Sequence, residues 1–185
     1  MRPPRAEGWF AEDLDALPEA PRHTELIDGA LVFMMSPQRI WHSLVVSALE
    51  RELRRLKPPE LRVYREITIR LDPRTRPEPE VVVTRTLAED LDRTWLDAAD
   101  VVLAVEVVSP ESEHRDRTVK LRKYAEAGIP HYWLVDDEQG SPVAHVYELD
   151  TPTGAYAPAG IYRGALDRAV PFPVTLDLGA LAIDG

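Results

Sequence analysis

Apolar residues in this chain recur with two periods, and the switches between them mark out its elements. His23-Thr-Glu-Leu-Ile and Ala30-Leu-Val-Phe-Met flank Asp28-Gly29, the signature of a two-residue type I′ turn, so an N-terminal β-hairpin is predicted. A helical period follows, with Trp41, Leu44, Val45, Ala48, Leu49, Leu53 and Leu56 on one stripe. Ser36 would cap this helix, Pro37 would open it, and Lys57-Pro58-Pro59 would stop it. From Leu61 to Leu71 the period is two, predicting one or two strands. A proline-punctuated loop over 72–79 then delivers the chain to an apolar strand beginning at Glu80, Glu80-Val-Val-Val-Thr84.

Residues 86 to 99 read as a polar connection with a helical turn. Val101 to Val108 is a nearly continuous apolar run, the mark of a strand covered on both faces. A helix beginning between Ser112 and Arg117 should end at Ala127, because Gly128 and Pro130 follow. Strands are expected at His131 to Asp136, Val143 to Leu149 and Tyr156 to Tyr162, with an extended piece from Pro171 to Leu178. This order predicts an α/β (α+β) architecture around a mixed sheet. Residues 1–22, with four prolines, read as an arm with a short helix near Ala11 to Leu17; residues 23–185 read as one domain.

Composition narrows the chemistry. The 185 residues contain no cysteine, which excludes disulfides and thiolate catalysis and suits a reducing, cytoplasmic setting. The N-terminus has no apolar core, so no secretory signal is expected, and no run is long enough to cross a membrane. A formal net charge of −10 argues against avid non-specific binding to nucleic acid through the global field. A paired-histidine zinc motif, a serine-hydrolase elbow and a phosphate-cradling glycine loop are all missing from the sequence.

One residue breaks the central apolar run. Glu106 would share a strand face with Val102, Ala104 and Val108, where a carboxylate must be paired, protonated or bound to a cation. Glu80 opens another buried strand, and Lys120 borders the apolar stripe of the helix that follows Glu106. Two strand-borne carboxylates and a lysine suit metal-assisted hydrolysis, in which Mg²⁺ or Mn²⁺ binds carboxylate oxygens and an ammonium orients water. The plainer possibility for Lys120 is a salt bridge to Asp116 at i, i+4.

Glu106-Val-Val-Ser-Pro110, Arg115-Asp-Arg117, Lys120, Tyr124, Ala127-Gly-Ile-Pro130 and Tyr132-Trp-Leu-Val-Asp136 together resemble the Uma-two family. Its members are assigned as restriction endonucleases of the PD-(D/E)XK nuclease superfamily. The similarity extends upstream through Glu25-Leu-Ile-Asp-Gly29, Ser36-Pro37, His42 and Pro79-Glu-Val-Val-Val83, so it spans roughly residues 23 to 136. It implies a restriction-endonuclease-like core in which helices flank a mixed sheet and the site lies where two strands diverge. It also implies DNA as substrate and Glu80 and Glu106 as ligands of Mg²⁺ or Mn²⁺. Lys120 would be the catalytic lysine, displaced to the helix because Val108 stands two residues after Glu106. Glu80 replaces the motif's aspartate.

Glu25 resembles the superfamily's N-terminal acid and is a possible accessory residue, as are His42 and Tyr124, although each also suits a structural role. Arg115 and Arg117 would contact phosphate or stay solvated. A homodimer suits an enzyme that cuts two strands. The rival expectation is a nuclease-fold binding or regulatory module without cleavage; hydrolysis of another phosphoester is a third.

Overall fold

Asp28 and Gly29 both take positive φ, 51° and 81°, as the type I′ turn demands. They join β1 (Thr24–Ile27) to β2 (Ala30–Phe33) in antiparallel register. This computed structural model describes residues 3–17, 21–34, 36–85 and 92–182. The long helix, α1 (Ile40–Leu56), buries Val45, Ala48, Leu49 and Leu53, as its apolar stripe predicts, and Val46 beside them. Its start differs from the expectation: Arg39, not Ser36, is the N-cap, in extended conformation and without a side-chain cap bond. Tertiary contacts override the local signal. The Ser36 N–H donates to Glu111 at 3.0 Å and Arg39 pairs with Asp137 at 2.6 Å, which stretches this segment across the molecule.

Strands follow at β3 (Leu61–Arg65), β4 (Thr68–Arg70), β5 (Val81–Arg85), β6 (Trp95–Asp97), β7 (Val101–Val107), β8 (His131–Glu138), β9 (Ser141–Asp150) and β10 (Ala155–Arg163). Six of them form one sheet in the order β10-β9-β8-β7-β5-β3. Only the β7–β8 pair of this sheet is parallel, so the sheet is mixed, as expected. The crossover between β7 and β8 is a π-helical stretch, Arg115–Lys120, continuing into α2 (Leu121–Glu126). Gly128, at φ 79°, ends it where the sequence places the stop.

Period-two alternation puts Val81, Val83, Leu103, Val105 and Val107 on the α1 face, and Val82, Ala104, Tyr132 and Leu134 on the α2 face with Tyr124 and Ile129. Val102 does not share the α2 face. The register of β7 on β5 jumps from Leu103↔Val83 to Val101↔Thr84, so Val102 is the extra residue of a bulge and packs on the opposite side. The connection before β7 holds the short strand β6, paired in parallel with β4, and a 3₁₀ turn at Ala98–Asp100. Residues 86–91 of that connection lie outside the described residues. Near the C-terminus, the expected extended piece is the second half of a hairpin, β11 (Ala165–Arg168) with β12 (Val174–Asp177), followed by α3 (Leu178–Leu181). Among the described residues no helix is long and apolar enough to cross a membrane.

His131, at the start of β8, has a buried Nδ1 with no hydrogen-bond partner. Burial, helped by the nearby Arg168 charge, lowers its pKa from 6.5 to about 4. The unfolded chain therefore binds the proton first, and stability falls as pH drops from 6.5 toward 4. Allowing for partial solvent contact, the loss attributable to this group is about 1 kcal/mol. Urea denaturation of wild type and His131→Gln across pH 4–7 checks this; the variant should show the shallower acid decline.

Candidate active site

Lys120 is 3 % exposed, and its ammonium is the hub of the site. Lys120 Nζ lies 2.7 Å from Glu25 Oε1, 2.9 and 3.0 Å from the two oxygens of Glu106, and 3.5 Å from Asp116 Oδ1. Three elements converge here: β1 carries Glu25, β7 carries Glu106, and the π-helical stretch carries Asp116 and Lys120. Glu106 points to the α2 face of the sheet, which places it opposite the helix that bears the lysine. One turn beyond Lys120, the buried Tyr124 hydroxyl donates to Glu106 Oε1 at 2.8 Å. π-helical turns occur often at functional sites, and here the backbone is further held by the Tyr132 hydroxyl, which donates to the Asp116 carbonyl at 3.0 Å.

Glu80 sits one residue before β5, where β5 and β7 part. Its Oε2 accepts the Val107 N–H at 3.0 Å, and its Oε1 lies 3.5 Å from His42 Nε2. The same His42 nitrogen is 2.9 Å from the Val107 carbonyl, which can only accept, so the proton is on Nε2. His42 is thus a buried bridge between α1 and the end of β7 that also leans on Glu80. Glu25 is fixed twice more: Oε1 accepts the Glu78 N–H at 2.9 Å, and Oε2 lies 3.3 Å from Arg115 Nε. Arg117 pairs instead with Asp136 at 2.6 Å.

Four carboxylates, Glu25, Glu80, Glu106 and Asp116, therefore face two cations, Lys120 and Arg115. The acids are not equivalent. Burial, with the charges of Glu80 and Asp116, pushes Glu106 well above the usual carboxylate range against the pull of Lys120. Burial also raises Asp116 to about 6, with Lys120 opposing and the Glu80 and Glu25 charges reinforcing. For Glu80 burial is outweighed by the His42 hydrogen bond and the Lys120 charge, and its pKa falls to about 2. Lys120 is pushed well above its ordinary value, because Glu106, Glu25, Asp116 and Glu80 together outweigh its burial. A lysine held so firmly as ammonium is a positioning and charge-neutralising group; a general base would need a pKa near the working pH.

Of these groups Glu25, Glu80 and Lys120 line a cleft of about 30 Å³, with His23, Glu66 and Glu78 at its sides, while Glu106 and Asp116 lie buried behind it. His23 Nδ1 and Glu78 Oε1 are 2.6 Å apart. Sequence reasoning passed over both, and treated Asp116 only as a partner for Lys120. The i, i+2 spacing of Glu78 and Glu80 was the available signal, since it directs both side chains to one side of an extended segment.

The pairing predicts unequal responses to substitution. Lys120→Met strands Glu25, Glu106 and Asp116 together, and should cost about 3–5 kcal/mol, the usual penalty for breaking a buried pair. Glu106→Gln keeps an acceptor for Tyr124 and leaves Lys120 with Glu25 and Asp116, so its cost should be under about 1 kcal/mol. Urea denaturation at neutral pH separates the two outcomes; equal, large losses would mark Glu106 as purely structural.

No curated protein matches the chain. A crystal structure at 1.96 Å resolution of a putative nuclease belonging to DUF820, from Anabaena variabilis ATCC 29413, matches with a TM-score of 0.71. That match has 18% identity and covers 92% of this chain and 96% of the other. It establishes a shared fold. The Uma2 sequence profile, described as "Putative restriction endonuclease", matches residues 11–180. This is the family that the Glu106 to Asp136 motifs resemble, and the chain belongs to it.

Proposed function

We propose that this protein is a metal-dependent endonuclease that hydrolyses DNA phosphodiester bonds, with Glu80 and Glu106 as metal ligands and Lys120 as the residue that positions the attacking water. The observation carrying this reading is the convergence of Lys120 on Glu106 and Glu25 beside Glu80, at the parting of β5 and β7. Family membership supports it.

The residues fit Mg²⁺ or Mn²⁺. The donors are carboxylate oxygens, which such hard cations prefer. The acids outnumber the cations four to two, and Glu25 Oε2 and Asp116 Oδ1 are buried with only loose ion-pair neighbours, Arg115 at 3.3 Å and Lys120 at 3.5 Å. Among the described residues no three or more acids or histidines form a ready cage. Mg²⁺ does not require one, since it keeps several waters and binds through one or two carboxylates. When bound, the cation would stabilise charge on the phosphoryl group and acidify a water. Lys120 would hold that water and offset developing negative charge. Tyr124 and Glu25 would fix the orientation of Glu106 and Lys120, and His42 that of Glu80.

One observation favours the second reading, a nuclease-fold binding module. Lys120 already occupies both oxygens of Glu106, and Glu80 stands where the superfamily motif has the shorter aspartate.

Cleavage of labelled single- and double-stranded DNA with Mg²⁺ or Mn²⁺ tests the proposal. Wild type should cut, and EDTA should abolish cutting. Glu80→Gln, Glu106→Gln and Lys120→Ala should each lower the rate by roughly 100-fold or more, as expected when a charge-stabilising group is removed. Activity that survives all three substitutions would contradict the assignment.

A further inference from the structure

Beside the cleft lies a second, larger cavity of about 190 Å³, between the extended segment before α1 and the loop after β7. We infer that this cavity is a subsite for an unstacked nucleobase of the DNA strand whose phosphate enters the cleft. The inference rests on the nuclease reading above and names the state of its substrate: single-stranded or locally flipped DNA.

Continuity is the first support. Met34 and Gln38 line both the cleft and the cavity. His42 lies on the cavity wall while its Nε2 is 3.5 Å from Glu80 Oε1 in the cleft. A strand seated with a phosphate in the cleft therefore carries its adjoining nucleoside toward this cavity.

Size and chemistry supply the rest. The cavity, at about 190 Å³, is far roomier than the cleft and accepts an organic group. Trp41, Met34, Pro37, Val108 and Pro110 give it apolar walls, while Gln38, Ser36 and Ser109 offer hydrogen-bonding groups. A base has two apolar faces and a polar edge, and proteins bind unstacked bases by this combination. A phosphate fits poorly: among the described residues Arg39 is the only cation lining the cavity, it is committed to Asp137 at 2.6 Å, and Glu111 adds negative charge. In an intact duplex the bases are stacked and paired and cannot enter such a cavity.

The test is fluorescence anisotropy with three labelled oligonucleotides of equal length: a single strand, its duplex, and the same strand made abasic around its centre. Phosphorothioate linkages and Mg²⁺ allow binding with slow hydrolysis. Wild type should bind the normal single strand roughly tenfold tighter than the abasic strand, the scale of one stacked base, and tighter than the duplex. Trp41→Phe should keep that preference and Trp41→Ala should lose it, with melting curves confirming that each variant is folded. If Trp41→Ala does not fold, the abasic comparison on wild type decides alone. Loss in both variants would point to the Trp41 Nε1–Gly140 carbonyl bond, 3.0 Å, as a structural prop and overturn the stacking role. Equal affinity for normal and abasic strands, or preference for the duplex, would overturn the subsite while metal-dependent cleavage still upheld the nuclease reading. No binding to any of the three would overturn both.

Discussion

A single ammonium group holds the centre of this protein together. Lys120 is almost wholly removed from water, yet it remains charged because four carboxylates surround it. Burying any of these charges alone would be costly, so each is tolerable only in the company of the others. The arrangement joins the N-terminal hairpin, the central strand β7 and the β7–β8 crossover at one point. It also leaves more negative than positive charge in the site. The interaction that fixes the fold locally is therefore also the one on which the proposed cation site rests.

The scaffold explains why these residues meet. Adjacent antiparallel strands β5 and β7 part just before Val81, and the freed N–H of Val107 is taken by Glu80. That bond turns an acid at a strand start toward an acid near a strand end. Parallel pairing of β7 with β8 requires a crossover, and the crossover places Lys120 and Tyr124 over Glu106 from the α2 face. The π-helical register of Arg115–Lys120 brings Asp116 inside as well. On the other face, α1 contributes His42, which ties the end of β7 to Glu80. The N-terminal hairpin, the segment leading into β5 and the crossover each supply one side of the cleft.

Much of this was legible in the sequence, for identifiable reasons. The type I′ hairpin, the α1 stripe, the Gly128 stop and the isolation of Glu106 in an apolar strand are local signals, and local physics decided them. The start of α1 was not legible, because Ser36 and Arg39 are drawn to Glu111 and Asp137, partners distant in sequence. Nor was the bulge at Val102, which depends on pairing with β5. Strand β6 has only three residues, too few for periodicity to declare it. The convergence of Glu80, Glu106 and Lys120 followed from motif spacing, while the burial of Asp116 and the His23–Glu78 pair depended on a helical register and a loop path that composition does not encode. The cavity beside the cleft is formed by two segments some 70 residues apart, which no local pattern joins.

The most direct test of the central claim, that this charge cluster is a divalent-cation site, is calorimetric titration of Mn²⁺ and Mg²⁺ into wild type, Glu80→Gln and Glu106→Gln. It requires no knowledge of the substrate. The account predicts binding to wild type that is lost in both variants, with Lys120→Ala used to ask whether the ammonium restrains affinity. Binding that persists undiminished in both glutamine variants would place the cation elsewhere and contradict the account.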